Sequence, residues 1–343
     1  MNAAAGDAPL LEARSLRVEY SVARERFAGG RFTALEDVSF ALQEGETLGL
    51  VGESGSGKST LARALLRLVP VAGGQVLWRG ENLLELGRRA LRERRRGLQI
   101  VFQNPVASLD PRMTIGEILA EPLRIFERAL TRGERRGRIE RMLERVGLEA
   151  RTMQRYPHEF SGGQCQRIAI ARAMMCSPRL LICDEPVSSL DVSIQGQIVN
   201  LLADLQREAG MAMLFISHNL AVVRQLSHRV LVMFRGRLVE AAPRDALFAA
   251  PLHPYTRALL AAVPRPAWTG PPVAPDGAAD APVYVEPPAS RDGCVYRMRC
   301  PLAQPACGLR PPLLEPVGPA RQVACHRRDR LGYSWASSRD EST

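Results

Sequence analysis

Lysine is nearly absent from this chain. Lys and Arg together number 46 in 343 residues, and Lys58 is the one lysine among them. A codon preference for Arg accounts for the excess of guanidinium groups. It does not account for the single ammonium that is kept, nor for its place in a glycine-rich loop. Long apolar runs are missing as well. No stretch approaches the ~18 residues that read as a membrane-spanning helix, so any membrane task is expected to be done from outside the bilayer. Met1–Pro9 lacks the basic start and apolar stretch of a secretory signal, and a cytoplasmic location is expected. No CxxC pair occurs among the seven cysteines, which makes a zinc ribbon a poor fit, and a cytosolic compartment argues against disulfides. No internal repeat is found, and no sustained heptad.

What is present is a chain able to bury a core, with 46% hydrophobic residues and a length that suits one large domain or two smaller ones. The formal net charge is +10 and the pI about 9.8. Such a surface can favour nucleic acid, an anionic membrane face or phosphate ligands. The densest basic run is Arg88, Arg89, Arg92, Arg94, Arg95 and Arg96. A nucleic-acid site would need stacking aromatics or a groove-reading motif beside it, and neither is there. The run reads first as a solvated face, then as a contact for anionic lipid headgroups.

Four short apolar runs read as buried strands: Thr47–Val51, Leu180–Cys183, Met213–Ser217 and Val230–Phe234. Each leads into a polar or glycine-rich stretch, where an open α/β sheet places its ligands. After the first comes Gly52-Glu53-Ser54-Gly55-Ser56-Gly57-Lys58-Ser59, a full G-x-x-x-x-G-K-[ST] match between a strand and the helical pattern Thr60–Leu68. Glycines let backbone N–H groups converge on phosphate oxygens, and the helix N-terminus adds partial positive charge. Lys58 is suited to neutralise the β- and γ-phosphates, and the Ser59 hydroxyl to ligate Mg²⁺. The second run ends in Asp184 and Glu185: one carboxylate for Mg²⁺, one to polarise an attacking water. Gln103 after a strand-like run and His218 after the third strand fit the same site, Gln103 towards Mg²⁺ and water, His218 towards the γ-phosphate. Each has a bland reading as an ordinary loop residue.

Ser161-Gly162-Gly163-Gln164 opens another helical pattern. Locally it is a capping box; paired glycines at a helix start also expose N–H groups to an anion. With this stretch in place, the chain resembles ATP-binding cassette proteins over about residues 10–263. The motifs occur in the family order: the Gly52–Ser59 loop, Gln103, Ser161–Gln164, Asp184-Glu185, Ser189-Leu190-Asp191 and His218. The resemblance implies an α/β P-loop cassette with a parallel-sheet core, a small antiparallel β subdomain and an inserted helical subdomain at about 104–172. It implies a nucleotide set of Tyr20 (stacking on adenine, with Phe27 and Phe32 as close competitors), Gly52, Ser54, Gly55, Gly57, Lys58, Ser59, Thr60, Ser161, Gly162, Gly163, Gln164 and Asp191. In that family the Ser161 turn of one subunit closes on ATP held by the other, so the site is composite. Cys165 stands where the family usually has Arg, and Asn219 where it has Asp; neither change removes a catalytic group.

Gly52–Gly55, Ala107–Met113 and His253-Pro254-Tyr255-Thr256 are similar to the dipeptide, oligopeptide and nickel importer cassettes, most of all to the second cassette of the pairs such importers use. The resemblance implies ATP and Mg²⁺ as ligands, a sister cassette in a heterodimer, two transmembrane permease subunits, an indirect solute-binding protein, no nucleic acid, and a place on the cytoplasmic face of a bacterial inner membrane. The competing reading is a soluble cassette ATPase acting on nucleic acid or ribosomes. Residues 264–292, rich in Pro and Ala, read as a linker, followed by a Cys-rich extension at 293–326. Cys165, Cys176 and Cys183 read as small buried hydrophobes. Cys294, Cys300, Cys307 and Cys325 could hold a [4Fe–4S] cluster, as in some relatives, or zinc, or stay free, with His326 as an alternative ligand.

Overall fold

The computed structural model describes residues 8–22, 30–188, 190–262, 292–318 and 320–328. The expected linker up to residue 291, Phe27 and Ser189 lie outside the described residues. Twelve strands are seen among those described: β1 Leu11–Val22, β2 Gly30–Leu42, β3 Thr47–Val51, β4 Gly73–Trp78, β5 Glu81–Asn82, β6 Leu98–Val101, β7 Leu180–Asp184, β8 Ala212–Ile216, β9 Arg229–Phe234, β10 Arg237–Pro243, β11 Glu315–Gly318 and β12 Arg321–Val323. They form two sheets. One is antiparallel, in the order β2-β1-β4-β5; the other runs β11-β12-β10-β9-β3-β8-β7-β6, with the five strands from β9 to β6 parallel.

The four apolar runs read from the sequence are the centre of this main sheet. In β3, β7 and β8 every residue is buried, the mark of parallel strands covered on both faces. Alternate residues supply two different cores. Leu181, Cys183, Met213 and Phe215 face the helical insertion and the helix Val192–Ala209. Leu48, Leu50, Leu180, Ile182, Leu214 and Ile216 face the helix Lys58–Leu65 and the antiparallel sheet, among Leu11, Leu16, Leu35 and Leu61. The period-2 geometry of a strand thus lets one sheet join two packed layers.

Between β6 and β7 the chain is helical: Pro105–Ser108, Ile115–Phe126, Arg132–Arg145 and Gly162–Met174, with two 3₁₀ turns. Thr114 with Glu117 and Thr131 with Glu134 close capping boxes at two of these helices. The Arg-rich run forms the helix Arg88–Arg95 and its end, and several of its guanidinium groups have partners within the fold. Arg94 pairs with Glu81 at 2.6 Å and Arg96 with Glu127 at 2.8 Å, while Arg95 donates to the carbonyls of Leu66 and Arg67.

The Cys-bearing segment is not an appendage beside the sheet. Its strand β12 adds to β10 antiparallel, Glu240 opposite Val323, and β11 pairs outside it. Fully buried Glu240 accepts from the N–H groups of Leu252 (2.9 Å) and His253 (2.8 Å) and lies 3.4 Å from Arg321 Nη2. A buried carboxylate needs such partners to offset desolvation.

Candidate nucleotide site

The glycine-rich loop leaves β3 and enters the helix Lys58–Leu65 directly. Gly57 caps that helix with φ +105°, and a Cβ there would lie 2.9 Å from the Ala34 carbonyl oxygen. Only glycine meets both conditions without strain. Lys58 is 4% exposed. Its Nζ donates to the carbonyls of Gly52 (2.8 Å) and Glu53 (3.0 Å) and lies 3.7 Å from Glu185 Oε1. Burial lowers its pKa, while Glu185 and Asp184 act in the opposite sense. Asp184 is also buried, which raises its pKa, countered by the Ser59 hydroxyl donating to Oδ1 at 2.8 Å.

Glu185 is the meeting point. It adopts φ +49°, unusual for a non-glycine residue, and its N–H donates to the Ile216 carbonyl at 3.0 Å. Its Oε2 accepts from Gln103 Nε2 at 3.2 Å and lies 3.3 Å from His218 Nδ1. Lys58, Gln103, Glu185 and His218 follow β3, β6, β7 and β8 in turn, so the carboxyl ends of four neighbouring strands bring them together. The oxygens of Ser59 and Asp184, and the Gln103 amide, are the hard donors that magnesium takes, so this set fits the cation. Asn219 caps the helix Leu220–Leu226 by accepting from Ala221 N–H at 3.1 Å, as an aspartate would.

The remaining expected residues lie on the same loop or away from the Lys58 cluster. Ser54 and Gly55 are exposed on the loop, and Thr60 is partly buried in the first helical turn. Ser161 and Gln164 close the expected capping box, Ser161 N–H to Gln164 Oε1 at 3.0 Å and Gln164 N–H to Ser161 Oγ at 3.3 Å. Ser161, Gly162 and Gln164 are exposed, and among the described residues no hydrogen bond joins this turn to the Lys58 cluster. Asp191, also exposed, precedes the helix Val192–Ala209 without a side-chain capping bond. Tyr20 is half-buried on β1 opposite Phe32, which is 54% exposed. Cys165, Cys176 and Cys183 are buried thiols, as read.

In the extension, Cys294 and Cys307 are buried and Cys300 and Cys325 partly so. Cys294 N–H donates to the Cys307 carbonyl at 2.8 Å. Burial pushes the Cys294 thiol up to about 11, with smaller contributions from Cys307, Cys300 and Cys325. Among the described residues no group of three or more His, Cys, Asp or Glu side chains stands ready to hold a metal, so the geometry lends the cluster reading no support.

Two residues of the 253–256 stretch, which sequence reasoning used for its resemblance alone, prove to touch the phosphate loop and the extension. The Tyr255 hydroxyl accepts from Glu53 N–H at 2.8 Å. His253 Nδ1 accepts from Tyr255 N–H at 3.1 Å, and the ring is also hydrogen-bonded to the backbone of Ala324. Nothing in the spacing alone announces these contacts.

A lysine-bearing phosphate loop and a strand-end carboxylate pair at the carboxyl ends of a parallel sheet define a P-loop nucleotide hydrolase. Residues 35–188 match the ABC transporter family, and residues 239–307 match the oligopeptide/dipeptide transporter C-terminal region. The oligopeptide transport ATP-binding protein OppF of Salmonella typhimurium is 51% identical over 308 residues, covering 87% of this chain and 89% of that protein. A probable peptide ABC transporter ATP-binding protein, y4tS of Sinorhizobium fredii, is 52% identical, covering 86% and 82%. Among solved structures, the dimeric ATP-binding cassette MJ0796 in a post-hydrolysis state with ADP and Pi matches with TM-score 0.62 at 29% identity, covering 68% of this chain and 98% of that one. The chain belongs to the ATP-binding proteins of ABC transporters, and it is an ATPase of that family.

Proposed function

We propose that this chain is the ATP-hydrolysing subunit of a peptide importer, energising a separate membrane permease. The observation that carries the chemistry is the convergence of Lys58, Gln103 and His218 on the Glu185 carboxylate. In this reading Lys58 neutralises the β- and γ-phosphates, the loop N–H groups from Gly52 to Thr60 cradle them, and Tyr20 stacks on adenine. Ser59, Asp184 and Gln103 hold magnesium, which when bound offsets phosphate charge. Glu185 takes the proton of the attacking water, Gln103 orients that water, and His218 holds the γ-phosphate side. The exposed Ser161–Gln164 turn and Asp191 serve the nucleotide of a partner cassette, a sister chain rather than a second copy.

The names of the relatives support peptide cargo over nickel, and over a soluble ATPase acting on nucleic acid or ribosomes. Among the described residues no helix is long and apolar enough to cross a membrane, in keeping with a peripheral subunit on the cytoplasmic face beside two permease subunits and, indirectly, a solute-binding protein. The division of labour follows the sequence: a cassette at 10–263 with a helical subdomain at about 104–172, the Gln103 loop and the insertion at 100–160 meeting the permease, a linker at 264–292 and an extension at 293–326. If the extension holds a [4Fe–4S] cluster or zinc, Cys294, Cys300, Cys307 and Cys325 are the thiols that would bind it. Iron, sulfide and zinc content of anaerobically purified protein decides between them, and metal-free protein ends that part of the reading.

The test of function is ATP-dependent uptake of labelled peptide by vesicles carrying the chain, its sister cassette and the permease pair. Uptake is expected with wild-type protein and lost with Lys58→Ala. ATPase activity that answers to RNA or DNA and ignores the permease would overturn the importer reading.

A further inference from the structure

Glu53, the second residue of the phosphate loop, is gripped at three points. Its N–H donates to the Tyr255 hydroxyl at 2.8 Å. Its carbonyl accepts from Lys58 Nζ at 3.0 Å and from Ser56 N–H at 3.1 Å. Its carboxylate accepts from both terminal nitrogens of Arg299, each at 2.9 Å. Arg299 belongs to the extension, in the 3₁₀ turn Arg297–Arg299 immediately before Cys300. Its guanidinium lies 5.7 Å from the ring centroids of both Phe234 and Tyr296. Those rings pack edge to face at 5.3 Å, and Tyr296 is 5.5 Å from Tyr255. Arg235 supplies a second guanidinium near Glu53 and Arg299.

The magnitudes separate two roles for this pair. Arg299 is 46% and Glu53 41% exposed, and ion pairs so open to water contribute little to folding. A bidentate fork contributes geometry instead: it fixes the direction of a carboxylate. Here the carboxylate belongs to the loop whose N–H groups must converge on a triphosphate, and its negative charge stands beside the place where more negative charge arrives. A guanidinium on Glu53 therefore does two things at once. It holds the loop's first turn, and it cancels a charge that would repel the ligand.

We propose that Arg299 is a positioning residue for ATP binding, acting through Glu53, so that a segment far along the chain from the phosphate loop sets nucleotide affinity. The inference rests on the reading that Gly52–Ser59 binds the phosphates of ATP. It is tested by titrating the full-length chain with a fluorescent ATP analogue and Mg²⁺, alongside thermal melting. Arg299→Ala is expected to raise Kd roughly 3- to 10-fold through loss of the fork and its charge, with melting unchanged. In a Glu53→Gln background the same change is expected to shift Kd by less than about twofold, because the group it acts on is gone. In the assembled transporter KM for ATP rises with kcat held. Arg299→Lys, which keeps the charge without the fork, is expected to give an intermediate Kd and carries the test if Arg299→Ala melts early.

An unchanged Kd in a folded Arg299→Ala chain, or in Arg299→Lys where Arg299→Ala melts early, overturns the inference. So does a full loss that persists in the Glu53→Gln background, or a fall in kcat with KM unmoved. Wild-type protein without MgATP affinity overturns the nucleotide reading and the inference together; wild-type affinity with an indifferent Arg299 overturns the inference alone.

Discussion

The Lys58 loop and the Ser161 turn are both glycine-bearing starts of helices, and both are chemically fit to meet phosphate. They differ in what surrounds them. Lys58 is buried and cross-braced: Asp184, Glu185, Gln103 and His218 arrive from three further strand ends, and Tyr255 holds the loop from behind. The Ser161 turn is exposed, and Ser161 and Gln164 bond to each other. One half is completed by its own chain. The other is stable as a helix cap, and under the proposed function it becomes a ligand site only against a second cassette.

The largest expected effect breaks the first half only. Glu185→Gln is expected to slow ATP turnover by about a thousandfold, within the range for loss of a general base, while MgATP affinity is retained. Near-normal turnover in that variant would remove Glu185 from its assigned role.

The next effect concerns the bracing that the Ser161 turn lacks. Burial pushes His253 down to about 4, against its hydrogen bond to the backbone of Ala324. The unfolded chain, with an ordinary histidine pKa near 6.5, binds a proton that the folded chain refuses between these values. Stability from this group is therefore present above pH 6.5 and lost as pH falls towards 4. The expected loss between pH 7 and pH 5 is about 2 kcal/mol. Denaturant titrations at the two values read it, and His253→Gln should flatten the difference. An equal pH dependence in that variant would assign the acid sensitivity to other groups.

The smallest effect isolates the second half. A Cβ on Gly162 would meet nothing closer than Leu190 Cδ2 at 3.6 Å, an ordinary contact, whereas one on Gly163 would lie 2.7 Å from Ile194 Cγ2. Gly162→Ala should therefore fold normally and leave the chain's own MgATP affinity unchanged. Hydrolysis by the assembled pair should fall roughly tenfold, as small misplacements at a reacting centre do. A wild-type rate would place the turn away from the partner's nucleotide.

Much of the Lys58–Glu185 cluster was legible in the sequence because each of its residues ends or follows a short apolar run. Parallel strands buried on both faces are continuous apolar runs, and their carboxyl ends lie side by side, so motif order translates directly into proximity. The Ser161 cap was legible for a local reason, its i to i+3 spacing. Glu53 with Arg299 was not: two exposed charges separated by most of the chain leave no periodicity. The strands β11 and β12 were missed because three or four residues, one of them Pro316, are too few to establish alternation. Tyr255 was visible as a motif letter, but its hydroxyl contact with the phosphate loop depends on packing that only the folded sheet provides.

Strand addition by β12 has a consequence for biosynthesis. Ribosomes deliver β10 well before the residues that cover it, so every nascent cassette passes through an interval with an open sheet margin, and with Glu240 lacking its Arg321 neighbour. Exposed strand margins recruit other chains. A product cut short after the 254–261 helix would keep the β10 margin permanently and should be removed or aggregate, so only chains translated through Val323 cover β10.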